Sequence, residues 1–302
     1  MSAPHLLILA WNQREQTLRC LDSVRRLRGA APRTVVIDNG SEDGTAAAVR
    51  AQFPAAELIE LPHNLGYCGG FNHGLRLALR ERAQAAVLLN NDTWLDPDCL
   101  VELAAASGAE PELLGPKIFS AADPERLQSA GAKVAAGSGR IVHLGYGQRD
   151  RGQFDSPAAR DALSGCCLWI NRAALERAGL LDEGYFAYFE DVEYCLRAQR
   201  LGARIELVPR ARLWHRGGIS LGGPDSARRL YYSVRNHLHV LDQHRPLPPS
   251  HRALRSAWVL SLSLAYLGLR TRIPRAEGLR ALARAWHDHR HNVRGALVGP
   301  LS

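Results

Sequence analysis

The stretch Ala86-Val87-Leu88-Leu89-Asn90-Asn91-Asp92 decides how this sequence is to be folded. Its apolar residues run without alternation and stop at Asn-Asn-Asp. An unbroken short apolar run suits a strand buried on both faces, as in a parallel sheet covered by helices. Polar groups released at the carboxyl end of such a strand sit where open α/β sheets bind ligands. Asp92 is a hard oxygen donor, suited to Mg²⁺ or Mn²⁺ and through the cation to a diphosphate. The plainer role, capping the next helix, has another occupant in Asp96-Pro97-Asp98, which offers an N-cap, a Pro at the first helical position and an early acid.

Towards the amino terminus the pattern repeats. His5 to Trp11 reads as a first buried strand, followed by Asn12 and Glu15 in capping-box spacing and a helical face of Leu18, Leu21 and Val24. Thr34 to Ile37 is a second strand that ends at Asp38-Asn39-Gly40-Ser41, and its helix covers Gly44 to Gln52. Strand and helix alternating at this spacing begin a parallel α/β fold. Asp38 has two readings: a turn residue with good local chemistry, or an acid at a strand end that hydrogen-bonds a ribose or base. After a third strand, Glu57 to Leu61, the segment Asn64-Leu65-Gly66-Tyr67-Cys68-Gly69-Gly70-Phe71-Asn72-His73-Gly74 is rich in glycine. Glycine lets backbone approach a ligand closely, and a helix starting near Phe71 would turn its amino end toward phosphate. The spacing is neither G-x-G-x-x-G nor a P-loop.

Towards the carboxyl terminus, Leu113 to Phe119 is a strand, Lys133 to Leu144 a hairpin around Gly137-Ser138-Gly139, and Gly145 to Ala158 a Gly-rich loop expected near a site. Leu163 to Ile170 is again apolar. The second chemical centre is Tyr185-Phe186-Ala187-Tyr188-Phe189-Glu190-Asp191, where aromatics give way to acids opening a helix. Acids in a first turn suit the helix dipole, and a carboxylate beside an aromatic wall suits a general base. Arg204 to Val208 is a strand, with Leu213-Trp214-His215 after it, and His215 reads as structural or as a ligand. A helix runs from Asp225 to His244, and Ala257 to Leu269 is the most apolar run of the chain. Flanked by arginines and shorter than the ~20 residues of a bilayer span, that run suits a helix in a membrane interface or a packed helix with a wet basic face.

The 302 residues allow one large domain or two small ones, and 46% hydrophobic with 23% charged content is ordinary for a globular protein. Six cysteines without C-x-x-C spacing point to reduced thiols in a cytoplasm, and Leu6 to Ala10 is too short and too neutral in its flank for a signal peptide. Ten arginines against two acids (Glu277 and Asp288) between Arg245 and Ser302 give a net of +8, equal to the net charge of the whole chain. The body is balanced, and the tail is expected to meet an anionic surface.

The ordered set Asp38-Asn-Gly-Ser, Asn64-x-Gly66, Gly70-Phe71-Asn72, Asn90-Asn91-Asp92, Phe189-Glu190-Asp191 and Trp214-His215 resembles family 2 inverting glycosyltransferases, and within them the bacterial rhamnosyltransferase type. Each motif alone is common; six in this order are specific. The resemblance spans about Leu6 to Gly218 and implies an α/β GT-A fold, a Rossmann-like mixed sheet flanked by helices. The glycosyltransferase domain would cover 1–222, with a nucleotide-sugar half (1–112), an acceptor half (113–222) and a helical, Arg-rich extension (223–302).

Carried over by position, Asp38 would contact the donor's base or ribose, and Asn64, Gly66, Gly70, Asn72 and Asn91 would line the donor pocket. Asp92 and His215 would hold a divalent cation, Mg²⁺ or Mn²⁺. Glu190 and Asp191 match the acidic motif that holds the catalytic base, with Asp191 the base. The metal motif of the family is often D-x-D, whereas Asn90 stands at its first acid here. The implied partners are a dTDP- or UDP-sugar donor and a glycan or lipid-linked acceptor of cell-wall or polysaccharide synthesis. Peripheral contact at the inner face of the cell membrane is expected, and no nucleic acid. Two competing readings remain: a sugar-phosphate nucleotidyltransferase, against which Ala10 to Thr17 lack a Gly-rich basic loop, and a binding module whose tail docks nucleic acid, against which Trp258, Tyr266 and Trp286 follow no recognition motif.

Overall fold

The computed structural model describes residues 3–135, 137–217 and 225–301. Its centre is a ten-stranded mixed sheet. Four parallel strands form one side: β1 (His5–Ala10), β2 (Arg33–Asp38), β3 (Glu57–Glu60) and β4 (Ala85–Asn90). Next to β4 lies β11 (Cys167–Asn171), antiparallel, and beyond it β6 (Glu112–Ser120) and β12 (Arg204–His215), parallel to each other. The short strands β5 (Thr93–Leu95), β7 (Leu127–Ser129) and β10 (Ala158–Ala159) complete the sheet. The expected hairpin is a separate two-stranded sheet of β8 (Ala132–Val134) and β9 (Ile141–His143).

The absence of alternation in the central strands has a direct cause. On β4, Ala86 and Leu88 enter one core while Ala85, Val87 and Leu89 enter the other. On β1, Leu7 faces the first core, and Leu6 and Ile8 face the second. The first core is covered by α3 (Gly66–Arg80), α5 (Arg172–Ala178) and α6 (Glu190–Arg200), the second by α1 (Arg14–Val24), α2 (Thr45–Gln52) and α4 (Cys99–Ala106). All six cysteines are buried and unpaired. Burial pushes the Cys20 and Cys166 thiols up to about 12, which keeps them inert as thiols.

Three helices, α7 (Ala227–His244), α8 (Pro249–Arg270) and α9 (Arg275–Arg290), form a third core of their own. Among the described residues no helix is long and apolar enough to cross a membrane. The expected domain boundary at 222/223 lies outside the described residues.

Several local expectations need correction. Asn12 does not cap α1: its Oδ1 accepts from the Glu42 amide, and Gln13 occupies the N-cap in the left-handed region. The side chain thus ties the β1 exit to the turn after β2. The Asp96-Pro97-Asp98 segment is a turn, in which Asp96 Oδ1 accepts from the Asp98 amide, and α4 starts only at Cys99. Helix α3 begins at Gly66, so the glycines lie inside it. A Cβ on Gly70 would overlap Leu9, and one on Gly74 would come within 2.9 Å of Leu7 and 3.2 Å of Ile37. These glycines let a helix lie close on a sheet. The Gly145 to Ala158 loop lies away from both clefts described below, and its Asp150 and Asp155 pair with the fully buried Lys117. Strand β12 runs through Pro209 with a register shift between Val208 and Arg212, because Pro cannot donate to the ladder.

Gly74→Ala tests the packing role. Ala gains ~1 kcal/mol in helix propensity over Gly, but overfilling a closed core costs about 1–3 kcal/mol. Leu7 and Ile37 are fully buried, so steric cost is expected to win, with a net loss of stability in denaturant titration.

Candidate active site

The carboxyl ends of β1, β2 and β4 open on a cleft of about 270 Å³. Its lining includes Asn64, Gly66, Asn91, Asp92, Glu190, Asp191 and His215 of the expected site residues. Asp38, Gly70 and Asn72 are not among its lining residues. Asp38 is buried and its Oδ1 accepts from the Ser41 amide, the turn chemistry of its first reading. Asn72 gives its amide to Leu181 O and Glu183 and receives the Leu181 amide, which ties α3 to the loop before Tyr185.

On one side of the cleft, Asp92 leaves β4 and is followed at once by β5. Strand β5 pairs antiparallel with β12, setting His215 opposite Thr93 and so beside Asp92. His215 Nε2 lies 3.1 Å from Asp92 Oδ1, and its Nδ1 lies 2.6 Å from Gln128 Oε1. Burial opposes ionisation of Asp92, yet the hydrogen bond and charge of His215, with backbone amides, hold its carboxyl below the ordinary value. Asn91 donates to Thr17 Oγ1, which fixes the neighbouring side chain. Among the described residues no group of three or more His, Cys, Asp or Glu could hold a metal. Asp92 and His215 are a two-donor set, one hard oxygen and one imidazole nitrogen, with the imidazole oriented through its other nitrogen.

Opposite them stands α6. Asp191 Oδ2 accepts from the Gly165 amide at 2.9 Å and its Oδ1 from the Val192 amide at 2.8 Å, so the carboxylate is held by backbone donors. Glu190 is buried, its Oε2 has no partner, and burial together with Asp191 raises its carboxyl well above the ordinary value. Burial beside a second acid thus favours the neutral form of Glu190.

The residues before them carry backbone strain. Tyr188 and Phe189 have φ of 66° and 69°, a left-handed pair without glycine. Asn236 of α7, fully buried, donates to Ala187 O and Tyr188 O at 2.8 Å each. Lower on α6, Glu193 joins Arg197 at 2.9 Å and His244 of α7 at 3.2 Å. Burial disfavours the Glu193 charge, and His244 and Arg197 outweigh it, leaving the carboxyl below its ordinary value.

Sequence reasoning missed Gln13, Gln128, Tyr67 and Asn236. Tyr67 donates to Gly165 O at 2.6 Å and Gly165 holds Asp191, so three distant segments meet at one residue. No spacing encodes that meeting; the Gly66-Tyr67 dipeptide beside the glycines was its one local trace.

Residues 6–179 match the model described as Glycosyl transferase family 2, and the chain belongs to that family. It is a glycosyltransferase. An N-acetylglucosaminyl-diphospho-decaprenol L-rhamnosyltransferase of Mycobacterium tuberculosis is 28% identical over 233 residues, covering 70% of this chain and 75% of that one. A dTDP-rhamnosyl transferase of Shigella flexneri is 23% identical over 251 residues, 80% of this chain and 81% of that one. Among solved structures, S. aureus TarS 1-349 in complex with UDP-GlcNAc superposes with a TM-score of 0.61 at 16% identity, over 96% of this chain and 81% of that one. GalNAc-T7 with UDP, GalNAc and Mn²⁺ gives 0.63 at 14% identity, over 91% of this chain and 59% of that longer one. The shared architecture is the GT-A fold.

Two outcomes follow. Glu193→Gln is expected to destabilise at neutral pH by about 3 kcal/mol, the scale of breaking a buried pair. A carboxyl depressed on folding stabilises above its unfolded value of about 4.3, and that share is lost as pH falls through the lower folded value. The stability gap between wild type and Glu193→Gln should therefore narrow in acid, as read by thermal unfolding from pH 7 to 3. Asn236→Ala should cost about 1–3 kcal/mol and lower kcat while leaving nucleotide binding in place.

Proposed function

We propose that the chain moves a sugar, with rhamnose the first to test, from a nucleoside-diphosphate sugar to an acceptor hydroxyl with inversion, using Asp191 as general base. The observation that carries this reading is the placement of Asp191: it is anchored by two amides and faces the Asp92–His215 pair across one cleft.

With Gln128 as acceptor, His215 Nδ1 is the donor and a neutral imidazole would turn an Nε2 lone pair at the Asp92 carboxylate. Two acceptors at that separation suit a proton or a shared cation, so Asp92 and His215 would be the residues to hold Mg²⁺ or Mn²⁺. When bound, the cation supplies charge neutralisation to the leaving diphosphate. GalNAc-T7, the structural relative solved with Mn²⁺, supports this. Asn90 weakens the set relative to a second acid.

Asn64 and Gly66 form the donor wall, where Asn64 Oδ1 accepts from Asn39 and from the Gly66 amide. The acceptor oxygen bonds the anomeric carbon from the face opposite the diphosphate, and its proton passes to Asp191. The anomeric C–O bond breaks, and its electron pair leaves with the diphosphate. The two rhamnosyltransferase relatives support rhamnose and dTDP. Leu254, Trp258, Leu262 and Leu269 on α8 are exposed and support a peripheral lipid contact.

Thermal unfolding with dTDP, UDP and GDP, each with and without Mn²⁺ or Mg²⁺, tests the donor half. Saturation at a hundred times Kd adds about 2.7 kcal/mol. A shift is expected with one diphosphate, dependent on metal and lost in Asp92→Ala. Asp191→Asn should cut transfer by about 10²–10⁴-fold and keep the shift; loss of donor affinity in that variant would refute the base assignment.

A further inference from the structure

A second cavity, of about 570 Å³, shares Tyr188, Phe189, Glu190 and Asp191 with the catalytic region, and three of these (Tyr188, Glu190 and Asp191) also line the donor cleft. Asp191 therefore stands where two compartments meet. The donor cleft lies at strand ends, with α3 and α6 completing its lining. The second cavity is closed by the β8–β9 hairpin and by α7 and α8, so most of its wall belongs to the C-terminal helices.

Its chemistry is divided. Trp258, Val259, Leu262, Tyr266 and Ile273 make one side. Val259 and Ile273 are buried, while Trp258 and Leu262 are half open to solvent, so the apolar side runs from the interior to the surface of α8. A purely polar glycan would leave its hydroxyls unsatisfied along such a wall. The cations of the cavity are Arg140 and Arg229, and no carboxylate of the described residues forms an ion pair with either. Arg229 lies over the Tyr188 ring at 5.7 Å, which sets its guanidinium beside the seam with the donor cleft. Free guanidinium groups suit phosphate oxygens. The acids at the inner end do not oppose an anion equally: Glu190 is pushed toward its neutral form, and Asp191 is already held by two amides.

We propose that this cavity is the acceptor site and takes an acceptor carried on an isoprenoid diphosphate: hydrocarbon along α8, diphosphate at Arg140 and Arg229, reacting hydroxyl at Asp191. This rests on the glycosyltransferase mechanism above and names its acceptor class. The C-terminal helices are then the lipid clamp of the active site.

Farnesyl diphosphate, farnesol and inorganic diphosphate, each titrated into the full chain by calorimetry, separate the parts of this ligand. Farnesyl diphosphate is expected to bind at least tenfold more tightly than either fragment, without displacing the nucleoside diphosphate. The double variant Arg140→Gln/Arg229→Gln should lose at least tenfold in affinity for farnesyl diphosphate and none for the nucleotide. Leu262→Asp, at a half-exposed position where folding tolerates a charge, should bring farnesyl diphosphate down to the affinity of inorganic diphosphate. Circular dichroism of each variant reports its folding. Equal binding of all three ligands, displacement of farnesyl diphosphate by nucleotide, or indifference of the folded variants would overturn the proposal. Nucleotide binding with no farnesyl diphosphate binding sinks the acceptor class alone. Farnesyl diphosphate binding with no nucleotide binding sinks the donor reading and leaves the lipid-diphosphate site standing.

Discussion

The left-handed pair Tyr188–Phe189 is the constraint on which the rest of the site depends. A non-glycine residue in that region costs about 1–3 kcal/mol, and two stand in succession before the proposed base. The strain persists because α7 reaches across with Asn236 to hold the carbonyls of Ala187 and Tyr188. Beside it the fully buried Arg235 donates to Tyr231 Oη and to the carbonyl of Gly295, and Tyr231 in turn donates to Asp288. Phe189, left-handed, is also the N-cap of α6, so the same turn sets the direction of the helix that carries Asp191. The C-terminal helices therefore hold the turn that precedes the proposed base.

The mixed sheet supplies the complementary half of the site. Strand β11 enters antiparallel between β4 and β6, and the segment leading into it brings Gly165 to Asp191 and Cys166 O to the Asn90 amide. Strand β12, extended past its bulge, returns to β5 and delivers His215 to Asp92. An all-parallel sheet would send these segments to remote crossovers. The antiparallel strand β11 and the antiparallel β5–β12 pairing put Asp191 and Asp92 on the lining of one cleft.

Much of this was legible in the sequence, for definite reasons. The unalternating run of β4 requires apolar cover on both faces, and the two cores supply it. Polar residues at strand ends were found because the ends of buried strands are the places where such residues are free to act. What was hidden depends on distant partners. Gly70 and Gly74 read as ligand-contacting glycines because a sequence shows flexibility and not the Leu7 and Leu9 side chains that press on them. Asn12 looked like a helix cap because its cross-link to Glu42 joins residues 30 apart in the chain. Tyr188 and Phe189 carry no propensity for the left-handed region; α7 imposes it. Lys117 lies in an apolar strand pattern, and its charge is tolerated because two acids of a distant loop reach it.

Net charge was the bluntest of the sequence signals, and the structure divides it. The excess of +8 in the last 58 residues looks like one basic surface, yet several of its arginines are internal ties. Arg255 is buried and pairs with Asp242, Arg284 pairs with Asp288, and Arg294 crosses to Asp182 next to the strained turn. A guanidinium already matched to a carboxylate contributes little field to a distant anion, since the pair is nearly neutral beyond about a Debye length of 8–10 Å. The attraction for a phosphate at the active site then depends on where unmatched charge lies. Arg140 belongs to the segment entering β9 and Arg229 to α7, and both precede Arg245, where the excess of charge begins. Counting charge along the chain pointed to the last 58 residues, whereas the two unmatched guanidinium groups that share a cavity with Asp191 lie before them.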